Sequence, residues 1–239
     1  MFDHVGIRVS DREASERFYT TVLGAIGLPT YTSETYSEWG DFALGTDGPV
    51  TKHLHIAFWV PTIELVHTFH AAGIEAGYES DGAPGPRPQY TPDYYGAFLK
   101  DPDGNSVEAV YLPQEGFEQG QIDHLWLRTR DLQAIKRFYA TVGAFADVQL
   151  AAETPDRVSF RSGPSAFSYV IGDEPTENVH IAFSAKTNEQ VDAFHQAAME
   201  GGYTDNGAPG ERAVYHAGYY GAFVLDPDGH NIEVVNHNR

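Results

Sequence analysis

The chain has 239 residues, and its 15 Lys and Arg against 34 Asp and Glu give a formal net charge of −19. A surface this acidic repels phosphate backbones and anionic lipid headgroups, which argues against nucleic-acid and membrane partners. The hydrophobic share of 41% is ordinary for a globular protein, and no run approaches the roughly 18 apolar residues of a membrane span. The chain has no Cys and opens without a signal-peptide layout, so we expect a cytoplasmic protein without disulfides.

The first half alternates predicted strands and helices. Phe2 to Val9 alternates in polarity and predicts a strand, and the apolar spacing of Asp11 to Leu23 predicts a helix that stops at Gly24. The following predicted elements are strands at Thr30 to Tyr36, Trp39 to Leu44 and Leu54 to Val60, a helix at Thr62 to Gly73, and strands at Tyr94 to Leu99 and Ser106 to Tyr111 joined by the turn sequence DPDG.

The second half repeats this order. Its predicted elements are a strand at Ile122 to Thr129, a helix at Leu132 to Val142, strands near Val158 and Ser168, a strand at Val179 to Ser184, a helix at Asn188 to Glu200 and a hairpin around DPDG at Asp226. Each half therefore contains two modules of a strand, a helix and further strands. Mixed sheets with helices on one face place the chain in the α+β class.

An internal repeat carries potential metal ligands. Residues 82–110 and 207–235 match at 17 of 29 positions without a gap, and both the dipeptide DH and the tetrapeptide HIAF occur once per half. Each half thus has two His and one Glu in the same order: His4, His55 and Glu108, then His124, His180 and Glu233. Two imidazoles and a carboxylate are a common ligand set for a divalent metal with open positions. The repeat predicts a first domain at 1–113, a linker at 114–120 and a second domain at 121–239.

These motifs resemble those of the vicinal oxygen chelate superfamily, which includes glyoxalase I, bleomycin-resistance proteins and extradiol dioxygenases. The resemblance lies in the leading DHVGIRVSD, the HIAF strand, and GYYGAF followed by DPDG and a strand Glu, once per half. It implies two tandem glyoxalase-like domains, each a pair of βαβββ modules with curved mixed sheets enclosing a cleft. It also implies that the six His and Glu residues bind a divalent metal ion. The ligand set does not identify the metal, which could be Fe, Mn, Ni or Zn.

Two departures from the family pattern shape the expected chemistry. Glyoxalase-type enzymes usually have a fourth ligand, a Glu, but Phe42 to Leu44 and Ser168 to Ile171 contain no carboxylate. The dioxygenases have a Tyr where this chain has Phe98 and Phe223, and a phenyl ring cannot hydrogen-bond a catecholate oxygen. The dioxygenase His corresponds to His216 in the second half, which makes that half the better candidate for the active site.

Strand periodicity supplies further candidates beside the ligands. Arg8 and Arg128 share the faces of His4 and His124 and have the donor geometry to bind a carboxylate or enolate, although both have acidic neighbours to pair with. The other candidate substrate contacts are Trp59, Trp126, Tyr94 and Tyr219, of which the tyrosines could instead serve packing. The candidate catalytic groups are Glu108 or Glu233, released transiently from the metal, and His216.

We therefore expect a divalent-metal-dependent enzyme acting on a small vicinal-oxygen substrate, by isomerase, lyase or oxygenase chemistry on an enolate or diol held by the metal. The alternative is a metal-free, drug-sequestering protein of the bleomycin-resistance type, which the acidic, aromatic composition permits. The sequence leaves three points open: whether one or both sites are active, whether His4 joins the ligands of its own half or joins His180 and Glu233, and whether the protein is a monomer or a homodimer.

Overall fold

The computed structural model describes residues 2–238, which form four successive βαβββ modules. The elements of the first two modules are β1 Phe2–Arg8, α1 Arg12–Ala25, β2 Tyr31–Thr32, β3 Tyr36–Trp39, β4 Phe42–Gly45, β5 His55–Trp59, α2 Ile63–Glu75, β6 Ser80–Pro86, β7 Tyr95–Lys100 and β8 Ser106–Tyr111. The order of elements confirms the predicted α+β class.

The last two modules repeat this arrangement with one added 3-10 turn, Gly143–Phe145. Their elements are β9 Ile122–Thr129, α3 Leu132–Val142, β10 Gln149–Thr154, β11 Arg157–Ser162, β12 Ser165–Ile171, β13 His180–Ser184, α4 Asn188–Glu200, β14 Thr204–Glu211, β15 Tyr220–Leu225 and β16 Asn231–Asn236. In residues 2–238, no helix is long and apolar enough to cross a membrane.

The helices agree closely with the sequence pattern, whereas some strands do not. The strand predicted at Trp39 to Leu44 is confirmed only for Phe42 to Leu44, which lie in β4; Trp39 ends β3, and Gly40 adopts φ +65 in the turn that reverses the chain between the two strands. The glycine- and proline-rich segments at β6 and β14 were not predicted as strands. They pair with β7 and β15 through irregular registers, as glycine-rich edge strands do.

The chain divides into two compact units. The N-unit comprises Gly6–Trp126, and the described part of the C-unit comprises residues 2–5 and 127–238. The N-unit contains the strands β6-β7-β8-β5, in this order, with the start of β9 beside β5, and the strands β2-β3-β4 with the end of β1 beside β4. The C-unit contains β14-β15-β16-β13 with the start of β1 beside β13, and β10-β11-β12 with the end of β9 beside β12. Each unit therefore borrows the first strand residues of the opposite sequence half.

Buried side chains position the strands that carry the candidate ligands. Helix α1 begins after Asp11, whose side chain accepts a hydrogen bond from the Ala14 amide, and it buries Phe18 and Tyr19. The Tyr19 hydroxyl donates to buried Asp101 at 2.8 Å, and Asp101 also accepts from the Asn105 amide within the DPDG turn. This turn sets the register of β8 against β7, which pairs Phe98 with Glu108.

Candidate metal centres

In the N-unit, three strands bring His55, Glu108 and His124 together. Strand β5 pairs in parallel with β8 and antiparallel with β9, so that Glu108 and His124 both lie opposite Ala57. The His55 Nε2 atom is 3.3 Å from His124 Nε2 and 3.0 Å from Glu108 Oε2, and His124 Nε2 is 3.6 Å from the same oxygen. We call these residues the N-triad.

The C-unit contains an equivalent cluster, the C-triad, formed by His4, His180 and Glu233. Parallel pairing of β13 with β16 places Glu233 opposite Ala182, and β1 lies on the other side of β13. The His4 and His180 Nε2 atoms are 3.0 Å apart, and they lie 3.6 and 3.1 Å from Glu233 Oε2. Among residues 2–238, these two triads are the clusters whose donor atoms converge as metal ligands do.

The structure thus selects between the two pairings that the sequence left open. His4 joins the ligands of the second half, and His124 joins those of the first half. Each exchanged His is the one on β1 or β9, the strand that begins in one compact unit and continues into the other.

The Nδ1 atoms of the imidazoles have partners that point the Nε2 atoms inward. The His4 Nδ1 is 2.9 Å from the carboxylate of Asp3, and the His124 Nδ1 is 2.7 Å from that of Asp123. A carboxylate beside Nδ1 fixes the proton there, so that Nε2 is the nitrogen that can serve as a metal ligand. The second His of each triad differs in its partner, which is Ser106 Oγ for His55 and the Asn231 amide for His180.

A buried tyrosine pins the carboxylate of each triad. The Tyr94 hydroxyl donates to Glu108 Oε1 at 2.7 Å, and the Tyr219 hydroxyl donates to Glu233 Oε1 at 2.6 Å. Burial, followed by the negative charge of the neighbouring carboxylate, raises the pKa of both phenols well above their usual range, so they remain donors. With Oε1 occupied in this way, Oε2 of each Glu faces the two imidazoles.

Burial is also the largest influence on the pKa of two members of the N-triad, Glu108 and His55. It raises the pKa of Glu108, which is 0% exposed, to about 7, against the opposing effects of His124 and the Tyr94 hydrogen bond. It lowers the pKa of His55 to about 4, which favours the neutral imidazole that a metal requires.

The predicted base His216 lies at the end of a hydrogen-bonded chain in the C-unit. Its Nε2 is 2.8 Å from His237 Nδ1, and His237 Nε2 is 2.9 Å from Asp3 Oδ2. Since Asp3 is also bonded to His4, the chain links the half-buried His216 to a triad ligand. Burial alone would raise the pKa of Asp3, but hydrogen bonds to His4 and Ser184 and the nearby His237 hold it well below its usual range.

The other predicted substrate contacts have varied surroundings. Arg8 lies in the N-unit and pairs with Asp47, with Nε and Oδ1 2.8 Å apart. Arg128 is exposed, and its stem lies against Gly172 in the C-unit. Trp59 donates from its indole to the Leu112 carbonyl at 3.0 Å. Trp126 lies next to the exposed Tyr90, whose ring is 5.0 Å from that of Tyr94 beside the N-triad. The substrate roles of these residues stay predictions.

Both halves of the chain match one known protein family. The family model described as the glyoxalase/bleomycin resistance protein/dioxygenase superfamily matches the chain twice, at residues 1–109 and 121–234. The chain belongs to this superfamily. Among curated proteins, none matches it.

Solved structures with the superfamily fold match almost the whole chain. Glyoxalase I from Zea mays aligns with a TM-score of 0.67 at 19% identity, covering 99% of this chain and 92% of that one. A putative dioxygenase from Bacillus subtilis subsp. subtilis str. 168 aligns with a TM-score of 0.68 at 11% identity, covering 100% and 85%. These likenesses support the two tandem glyoxalase-like domains that the sequence predicts.

The triads fit the divalent ion that this superfamily implies. Donors at about 2.1 Å from one ion, with angles between 90° and 109°, lie roughly 3.0 to 3.4 Å apart. The observed separations of 3.0 to 3.6 Å are close to this range before any adjustment. Two imidazole Nε2 atoms and a buried carboxylate oxygen that face one another also need a cation or a proton between them. His4, His180 and Glu233 would hold one ion, and His55, Glu108 and His124 a second.

Several residues around the triads were not singled out from the sequence. Asp3 and Asp123 hold one His of each triad, and Arg87 and Arg212 lie over the phenylalanine rings that adjoin the other His. The repeat contained the signal for all four, because the D of DH and the R after GAPG occur in both halves.

Proposed function

We propose that the chain is a divalent-metal-dependent enzyme that acts on a small substrate with two vicinal oxygens. The observation that carries the proposal is the pair of triads, each with two inward-facing imidazoles and a nearly fully buried carboxylate. A bound metal would act as a Lewis acid that polarises substrate oxygens and acidifies the neighbouring C–H or O–H. With three protein ligands, each site leaves coordination positions for two substrate oxygens.

The residues of the chain suggest how a proton would be handled. In the N-unit the candidate base is Glu108, whose carboxylate, released transiently from the metal, would accept and return a substrate proton. Its carboxylate is held by Tyr94, and Glu233 is held in the same way by Tyr219. In the C-unit, His216 is a second candidate base, since its ring centroid lies 5.3 Å from that of Tyr219.

Isomerase or lyase chemistry is better supported than ring cleavage. The rings of Phe98 and Phe223 lie 5.8 and 6.2 Å from those of His55 and His180, so the position where the dioxygenases have a Tyr carries no hydroxyl. The sequestering alternative is less well supported, because a protein that only binds a drug has no use for two inward-facing ligand sets. We further propose that the protein acts in the cytoplasm, as a monomer or a homodimer. Its repeat would divide into a first domain at 1–113, a linker at 114–120 and a second domain at 121–239.

Metal content measured by plasma mass spectrometry tests the proposal directly. We expect wild-type protein, purified without a metal-affinity tag and reconstituted, to hold two ions per chain. Glu108→Gln and Glu233→Gln should each hold one, whereas Glu211→Gln, an exposed acid on β14, should hold two. Failure of the wild type to take up Zn, Mn, Ni or Fe would refute the metalloenzyme and leave sequestration as the better account.

A further inference from the structure

Beside each triad, an arginine lies over the phenylalanine ring next to the second His. In the N-unit, the Arg87 guanidinium carbon is 5.4 Å from the centroid of the Phe98 ring. In the C-unit, the Arg212 guanidinium carbon is 5.5 Å from that of Phe223. Since each phenylalanine adjoins the triad imidazole, each guanidinium lies one aromatic ring away from a candidate metal ligand. The arrangement occurs once in each unit with nearly the same geometry.

The glycines of the repeated GAPG sequence make room for this arrangement. A Cβ atom at Gly82 would come within 2.8 Å of the Phe98 ring, and one at Gly85 within 2.9 Å of Arg87 Nη1. The equivalent distances in the C-unit are 2.9 Å from Gly207 to Phe223 and 2.8 Å from Gly210 to Arg212. A side chain at Gly82 or Gly207 would collide with the phenylalanine ring, and one at Gly85 or Gly210 would require the arginine to move. The glycines that the two halves share therefore leave room for the arginine and the ring.

The backbone of each arginine is tied to the tyrosine that pins the triad carboxylate. The Arg87 amide donates to the Tyr94 carbonyl at 2.8 Å, and the Arg212 amide donates to the Tyr219 carbonyl at 2.7 Å. Each arginine is therefore tied through its backbone to the residue that holds the triad carboxylate.

The donors of both guanidinium groups are incompletely used within the chain. Arg87 donates to the carbonyls of Ala83 and Pro86, and Arg212 donates to those of Ala208 and Glu211. A guanidinium has five N–H groups, and in residues 2–238 neither arginine has a carboxylate within ion-pair distance. By contrast Arg12, in the same acidic chain, pairs with Glu16. Half-buried cations without a carboxylate beside a ligand site are suited to an incoming anion.

Resting on the proposed function, we propose that Arg87 and Arg212 bind a carboxylate of the substrate while the neighbouring triad holds its vicinal oxygens. The substrate class is then a small anion with a carboxylate separated from a chelating oxygen pair. The carbonyl bonds and the face of the phenylalanine ring hold each guanidinium in place, which reduces the entropy lost when the anion binds.

The test compares two chelating acids that differ at one end. Both 2-hydroxyglutarate and 2-hydroxyvalerate carry a 2-hydroxycarboxylate head, but only the first has a second carboxylate. Calorimetric titration into zinc-loaded protein should show 2-hydroxyglutarate binding at least tenfold more tightly. In the double variant Arg87→Gln with Arg212→Gln the two acids should bind equally, with two zinc ions retained. The control Arg17→Gln, which changes an exposed arginine paired with Glu13, should keep the wild-type preference.

The outcomes separate this inference from the proposed function. Equal binding of the two acids to wild-type protein, or a preference that survives in the double variant, overturns the arginine site while zinc uptake still supports the enzyme. If zinc does not bind, the proposed function fails. Glutarate, which has no chelating head, is then titrated into the metal-free protein. Binding that disappears in the double variant supports the arginine site, and absence of binding overturns it.

Discussion

Removing one hydroxyl from Tyr219 tests whether the pinned carboxylate is a metal ligand. The hydroxyl donates to Glu233 Oε1 at 2.6 Å, in surroundings where Glu233 is 1% exposed. In Tyr219→Phe the ring keeps its packing, but the carboxylate loses its donor and is free to turn Oε2 away from His4 and His180. We therefore expect weaker metal binding at the C-triad with little change in the fold.

The size of the effect follows from the chemistry of the lost contact. A hydrogen bond to a charged group contributes about 1.5 to 3 kcal/mol, and each 1.4 kcal/mol is about tenfold in an equilibrium constant. The expected loss in zinc affinity is therefore about tenfold to 100-fold, which agrees with the range for groups that orient metal ligands. Tyr94→Phe should have the same effect on the N-triad, because its hydroxyl donates to Glu108 at 2.7 Å.

The neighbouring residue supplies a matched control for the assay. Tyr220 directly follows Tyr219 but donates its hydroxyl to exposed Asp192 at 2.8 Å. Zinc affinity is measured by competition with a chromophoric chelator, and Tyr220→Phe should behave as wild type. Unchanged affinity in Tyr219→Phe, or an equal loss in Tyr220→Phe, would show that the carboxylate is not held for a metal and would refute the reasoning.

Three further changes probe the support around the sites. Gly96→Ala should leave one zinc ion per chain by mass spectrometry with native circular dichroism, because a Cβ there would collide with Glu108 Oε1; retention of two ions would contradict this. Asp3→Asn should weaken the C-triad about 10- to 100-fold in the same competition assay, through the lost partner of His4, whereas equal weakening of both sites would argue against it. Tyr19→Phe should lower the free energy of unfolding in urea by about 1 to 3 kcal/mol, through the buried bond to Asp101, and an unchanged midpoint would refute that estimate.

The candidate ligands were accessible from the sequence because they depend on local order. The two His and the Glu recur in both halves, and strand periodicity with the DPDG turn places Glu108 on a strand. Helices α3 and α4 have the predicted bounds, since their apolar spacing and capping residues are local signals. The strand predicted at Trp39 to Leu44 was right only for Phe42 to Leu44, since the positive φ of Gly40 places a turn directly after Trp39.

The partnership of the ligands was decided by the tertiary structure alone. His4 and His180 are 176 positions apart, and nothing near either residue indicates that they meet within the C-unit. The roles of Asp3 and Arg87 likewise appear only when the strands pair, although the repeat preserves both residue types. Local sequence sets the period and ends of a strand, whereas the choice of its neighbour depends on burying whole faces of the modules together. The sequence by itself therefore determined which residues are candidate ligands. The packing of the modules determined which of them share a site.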